Sequence, residues 1–338
     1  MGEKVPKSLH EKKTNHYVWV HYLKKWAVDE LPKNKRIVNI WCRTQNNRSE
    51  VLNARAILSE TYFYRIRSLK ANHLELIRYY FQNSDIGLKK SILYFINFSR
   101  YLDYVESLNL KEKLSDSSDK AISLAKSNSL EDIHTDREKR VIQILDALDN
   151  QDLTILEDQE NILYFIDFFS HQMMRTKAMK NRVLAVFNEK DKKIERLLEE
   201  CWWLFSNSVG NNIGESLYCE RKKNNHCLLI NDSDEPFITS DTPVINVSLA
   251  LDIENPQPLL NDECDLYYPI SPRIAYMISC SHRFPKGKLK VSSELVNELN
   301  KKMAENSDIH IISNKKEMID KYKTYVNIKF SKNKEKAQ

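Results

Sequence analysis

Phe237-Ile-Thr-Ser-Asp-Thr-Pro-Val244, followed by Tyr267-Tyr-Pro-Ile-Ser-Pro-Arg273, is written for extended chain interrupted by turns. Proline lacks the amide hydrogen that a helix interior needs, and it confines the residue before it to extended geometry. Seven of the nine prolines lie between Pro236 and Pro285, whereas positions 33 to 235 contain none. The chain therefore divides into a proline-free helical body and a strand-rich C-terminal third.

On either side of that stretch, short apolar runs predict strands at 217–220, 227–230, 237–239, 244–249, 265–270, 274–280, 309–313 and 325–330. The polar Arg221-Lys-Lys-Asn-Asn225 reads as a hairpin loop between the first two. One helix interrupts the strands at 292–306, where Ser292 is the expected N-cap. Upstream, apolar residues at three- and four-residue spacing predict helices over 50–67, 74–82, 89–108, 141–148, 161–171 and 189–205. Residues 111–140 turn to Ser, Lys, Asp and Glu, and read as a loop or weakly packed helix, the candidate for mobility. Segregated helices and strands imply an α+β fold, with a helical N-terminal two-thirds packed on a mainly antiparallel C-terminal sheet. Residues 1–215 form the helical body, 216–330 the strand-rich part of the same compact unit, and 331–338 a frayed tail.

Composition narrows the chemistry. The 338 residues are 41% hydrophobic, enough for a packed core without covalent staples. Lys and Arg exceed Asp and Glu by 52 to 47, a formal +5, which permits a phosphate-rich partner without demanding one. No run approaches the length of a membrane span, and the six cysteines form no C-x-x-C pair, so no membrane partner and a cytoplasmic location are expected. With only five glycines, the one close pair is Gly210 and Gly214, and no Lys-Ser or Lys-Thr follows it, which argues against a nucleotide-binding loop. Ser240 and Ser271 lack a nucleophile elbow. Arg67-Ser-Leu-Lys-Ala-Asn-His73 has the Arg-to-His spacing of helical ribonucleases of the HEPN type, but nine histidines produce such a spacing by chance.

Four ordered segments carry a likeness: Asn15-His-Tyr-Val-Trp-Val-His-Tyr-Leu-Lys-Lys-Trp26, Gln172-Met-Met-Arg-Thr176, Thr239-Ser-Asp-Thr-Pro-Val244 and Tyr268-Pro-Ile-Ser-Pro272, with Asn300 on the following helix. Together they resemble the bacterial family catalogued as domain of unknown function 4238. Trp19 and Lys177 stand where that family has proline, and Thr242 where it has asparagine. The resemblance narrows the fold more than the reaction.

Gln172 and Arg175 lie three apart on one helix face that His171 overlaps, a clamp suited to carboxylate or phosphate. The alternative is that Arg175 pairs with an acid, Asp241 first, and locks helices to strands. Asp241 at a strand end suits a catalytic or metal-binding carboxylate, or else an Asx-turn. His16 could serve as a general base or as a helix cap. One reading is therefore a hydrolase or transferase acting on a phosphate-containing substrate, nucleic acid included. It uses catalytic His16, Arg175 and Asp241 and substrate-binding Tyr17, Gln172, Ser240, Arg273 and Asn300. The cofactor is unknown; scattered carboxylates could hold a divalent metal such as magnesium. The competing reading is a non-catalytic binding or effector protein, in stress or phage defence for example. There the same residues glue body to strands, and 111–140 meets a protein partner.

Overall fold

The computed structural model describes residues 10–28, 38–112, 116–188, 191–249 and 263–328. The chain enters through β1 (Thr14–His16) and α1 (Val20–Leu23), then β2 (Asn39–Arg43), β3 (Ser49–Asn53) and β4 (Ser59–Thr61). The helical body follows as α2 (Ala71–Tyr80), α3 (Ile86–Glu112), α4 (Asp116–Arg140), α5 (Ile142–Asp149), α6 (Gln159–Met174), α7 (Lys177–Asn188), α8 (Lys192–Glu200) and α9 (Trp202–Glu220). Strands β5 (Asn225–Ile230), β6 (Thr239–Ser240), β7 (Ile245–Asn246), β8 (Asp265–Pro269), β9 (Ile274–Ser279) and β10 (Gly287–Lys290) lead to α10 (Ser293–Glu305), β11 (Ile311–Ser313) and α11 (Lys316–Tyr322).

A five-stranded sheet of order β10-β5-β9-β8-β7 is antiparallel except for the β10–β5 pair. It is buried on both faces, which is why β9 reads as the unbroken apolar run Ile-Ala-Tyr-Met-Ile. Ile274, Tyr276 and Ile278 face the helical body, where the Phe165 ring of α6 meets Tyr276 edge-on at 4.8 Å. Ala275 and Met277 face the other way, onto Val296, Leu299 and Met303 of α10. Helices therefore cover the sheet on both sides, and the fold is α+β with the sheet in the C-terminal region. A second sheet, β3-β2-β11-β6, joins N-terminal and C-terminal strands, and β1 pairs with β4.

Two apolar helices, α6 and α9, lie against each other through the glycine pair. A Cβ on Gly210 would stand 2.9–3.2 Å from the His171 ring, and one on Gly214 would stand 2.8 Å from the Ser170 hydroxyl. The pair that failed as a phosphate loop is a small-residue seam that lets the two helices close up.

Several local expectations give way to tertiary context. The helix expected over 50–67 is instead β3, a short 3-10 turn and β4, because β2 supplies a five-residue antiparallel partner for β3 and β1 pairs with β4. The strand expected at 217–220 is the last turn of α9, so Arg221–Asn225 is a helix-to-strand turn and not a hairpin loop. The helix expected over 189–205 breaks at Cys201, where φ −108° and ψ 18° end α8 and open α9. In place of a strand at 325–330, Tyr325 closes a 3-10 turn, and 329–330 lie outside the described residues, as does the 331–338 tail. Within 111–140, α3 runs to Glu112, residues 113–115 also lie outside, and α4 takes up 116–140. Its inner face is polar, with Ser127, Asn128 and His134 buried beside Leu130. β2 and β10 were not expected from their sequences.

The Gly210 seam is testable. Replacing Gly210 by Ala adds about 1 kcal/mol of helix propensity but drives a methyl into a ring that cannot retreat, for a net loss of roughly 1–2 kcal/mol. Gly214→Ala meets only a rotatable hydroxyl and should stay within about 1 kcal/mol of the native protein. Urea denaturation of the two variants side by side checks the difference.

Candidate functional site

The family-like segments meet at the junction of helices and sheet. The Tyr22 hydroxyl lies 2.7 Å from both the Thr239 hydroxyl and the Pro269 carbonyl, and its ring stacks on Tyr268 at 5.2 Å. Trp26 Nε1 donates to the Phe237 carbonyl at 3.0 Å. Phe168 and Phe169 of α6 close edge-on over Tyr268. One aromatic group thus ties the chain entry to both proline-flanked segments.

Arg175 ends α6, with its side chain only 4% exposed. Its Nη2 donates to Glu138 Oε1 at 2.6 Å and to Gln172 Oε1 at 2.8 Å, and Gln172 Nε2 donates to the Tyr17 carbonyl at 3.0 Å. The acidic partner is therefore Glu138 of α4, and the expected pairing with Asp241 is corrected. Glu138 had no distinguishing signal in sequence beyond lying on the polar stretch. Burial raises the Glu138 carboxyl more than the Arg175 charge lowers it, while Arg175 is held protonated by Glu138 against its own desolvation.

Asp241 accepts three backbone N–H groups, from Asp308 at 3.0 Å, Ile309 at 2.7 Å and His310 at 2.8 Å. It is 3% exposed, and burial pushes its carboxyl upward against the pull of His310 and those amides. Arg182, lowered to about 10 by burial, lies beside it and donates to Thr242 Oγ1 and the Asn306 carbonyl. The anchor joins two strand ends: the end of β6 and the residues that lead into β11. Sequence reading missed Arg182.

The remaining expected residues have equally internal partners. His16 is half-buried, its Nε2 at 3.1 Å from the Arg55 carbonyl, and burial lowers its pKa. Tyr17 is buried, and desolvation with Asp241 nearby raises its phenol. Ser240 donates to the Thr242 carbonyl and accepts from the Thr242 amide. Asn300 clamps 236–238, taking the Ile238 amide and donating to the Pro236 carbonyl, each at 2.9 Å. Arg273 is exposed and donates to the Ser233 carbonyl. His16, Tyr17, Gln172 and Arg175 stand together, with Asp241 in electrostatic reach of the Tyr17 phenol; Asn300 and Arg273 occupy separate places on the sheet side. His73 of the Arg-to-His pair is buried against Glu200 and the Lys70 amide, with Arg67 exposed.

A second buried group lies between α4, α6 and α9. Asp167 holds His171 Nδ1 at 3.1 Å through its carboxylate and 2.8 Å through its carbonyl, so the proton sits on Nδ1 and the lone pair on Nε2. Arg137 donates to Asp167 at 2.9 Å; burial raises the Asp167 carboxyl, but the His171 hydrogen bond and the Arg137 charge together hold it well below the usual carboxylate range. The His134 ring stands edge-on to His171 at 6.2 Å. His134 Nδ1, His171 Nε2, Arg175 Nε and Asn207 Nδ2 are buried without hydrogen-bond partners. A carboxylate that fixes an imidazole tautomer is the arrangement that primes a general base. Here the ring is 2% exposed and backed by Gly210, so a substrate could reach Nε2 only by displacing α9. The helical spacing of Asp167, His171 and Arg175 was the available signal; His134 and Asn207 gave none. Among the described residues, no three His, Cys, Asp or Glu side chains stand together as metal ligands would. No described helix is long and apolar enough to cross a membrane.

Glu131 of α4 accepts from Asn15 Nδ2 at 3.1 Å, and burial raises its carboxyl to about 7, with Arg175 opposing and Glu138 reinforcing. A carboxyl raised on folding contributes its full stability below the unfolded value near 4.5 and loses it as pH rises through about 7. Glu131→Gln should therefore flatten the fall in stability across that window and raise stability at pH 8 by on the order of 2–3 kcal/mol. Thermal unfolding from pH 5 to 8 checks this, and an unchanged slope would place the titration on another group.

The chain has no match among curated proteins and none among solved structures. A family model described as protein of unknown function, DUF4238, matches residues 14–317, which takes in all four segments and Asn300, and the chain belongs to that family.

Proposed function

We propose that this chain is a non-catalytic binding or effector protein whose family-like polar residues latch the helical body onto the sheet. The observation that carries the reading is that those groups spend most of their hydrogen-bonding capacity inside the fold, Arg175 Nε being the exception. Asp241 takes three amide hydrogens, Gln172 is engaged at both ends of its amide, Asn300 likewise, and the Arg175 charge is answered by Glu138. A ligand clamp keeps donors free for its ligand.

The hydrolase or transferase reading, with a phosphate-containing substrate bound by Arg175 and a proton moved by His16, requires both groups to be reachable. Its remaining support is the Asp167–His171 pair, which would need α9 to move. A protein partner meeting 111–140 would have to use the outward side of α4, since the inner side carries Glu131, His134 and Glu138. Removing that segment would also remove the partner of Arg175, so deletion cannot separate binding from folding. Six thiols without a disulfide fit a reducing, cytoplasmic setting. A defence or stress effector fits the same description.

Asp241→Ala leaves three buried amides without an acceptor, and the expected loss is on the order of 3 kcal/mol or more in chemical denaturation. Gln172→Leu, which orphans the Tyr17 carbonyl and part of the Arg175 fork, should cost roughly 1–3 kcal/mol. Variants that keep full stability while losing turnover of a phosphate ester would sink the proposal.

A further inference from the structure

Helix α3 has two chemically distinct sides. Two of its carboxylates, Asp103 and Glu106, are paired with α4, at 3.2 and 2.7 Å from Lys126 Nζ. Its buried side is Leu88, Ile92, Phe95, Ser99 and Leu102. The outward side repeats at helical spacing and carries Lys89, Lys90 and Arg100 among Tyr94, Tyr101 and Tyr104, which are 65%, 62% and 61% exposed. Leu93, 53% exposed, lies between them. Among the described residues none of these three cations has a salt-bridge partner, and the side carries no carboxylate from Ile86 to Tyr104. From Lys89 to Tyr104 the strip spans about 22 Å of helix.

We propose that this outward side of α3 binds single-stranded nucleic acid, the tyrosine rings stacking on bases and Lys89, Lys90 and Arg100 meeting phosphates. The inference rests on the non-catalytic reading above, since it assigns the strand a binding surface that itself carries no histidine or carboxylate from Ile86 to Arg100. Unanswered positive charge calls for an anionic occupant, and planar exposed rings call for one with flat faces. Single strands offer both, and stacking tolerates any base. A second copy of this chain fits poorly, because a two-fold contact would set the same three cations against themselves.

The test is fluorescence anisotropy of the full chain with a labelled oligothymidine. Expected is saturable binding whose logarithm falls with log salt with a slope on the order of −2, as three phosphate contacts on a single strand give. Tyr94→Ala with Tyr101→Ala should weaken binding about tenfold or more with the slope unchanged, as loss of stacking does. Lys90→Gln with Arg100→Gln should make the slope shallower by about 1.4. Both double variants replace exposed side chains, and their melting curves should overlay the native one. The proposal is overturned by no anisotropy change, by tyrosine variants that bind as the native chain does, or by equal binding to duplex DNA, polyglutamate or phosphatidylserine vesicles. Shortening of the oligonucleotide, read on a gel from the same samples, would overturn the non-catalytic reading while leaving the binding surface standing.

Discussion

A guanidinium buried where α6 ends sets the terms for the rest of the molecule. Removing Arg175 from water costs several kcal/mol unless an opposite charge and further hydrogen bonds go with it. Glu138 supplies the charge and Gln172 a carbonyl, and Gln172 then fixes the backbone at Tyr17. The Tyr64 hydroxyl adds a contact to the Arg175 carbonyl at 3.3 Å. Three stretches of chain, at the entry, in α4 and at the end of α6, are held to one position because leaving any of them out would strand a charge or a dipole.

That requirement explains why α4 is a helix although it lacks an apolar stripe. Most helices bury leucines and valines; α4 buries Ile122 and Leu130 but mainly groups that need specific partners. Ser127 and Asn128 reach Glu11 and the Lys12 amide, Glu131 reaches Asn15, and Glu138 reaches Arg175. All of those partners are distant in sequence, so nothing local to 116–140 announces the burial. The aromatic group of Tyr22, Trp26 and Tyr268 plays the complementary part on the sheet side, with ring stacking and two hydroxyl contacts replacing the ion pair.

Of the residues singled out from sequence, Gln172, Arg175, Asp241 and Asn300 make hydrogen bonds between distant elements. Gln172 and Arg175 do share a helix face, and the donor geometry that suits a bound phosphate also suits Glu138 and a carbonyl. Asp241 does sit at a strand end, where its carboxylate gathers the amides of a turn 67 to 69 residues away. Residue type and spacing identify a group able to form strong polar contacts. Whether the contact is with a ligand or with the chain itself depends on burial, which spacing does not carry.

Local rules alone predict the division at the proline boundary, the strands β5, β8 and β9, and the helices α2, α3, α5, α6 and α10. Proline excludes helix, unbroken apolar runs make buried strands, and periodic ones make amphipathic helices. Tertiary structure decided the pairing of β2 with β11, the strand character of 49–53, the register of α6 on α9 through Gly210 and Gly214, and the choice of Glu138 over Asp241 as the partner of Arg175. Each is a contact between residues far apart in the chain, and its free energy exists only once both sides have been brought together and dried.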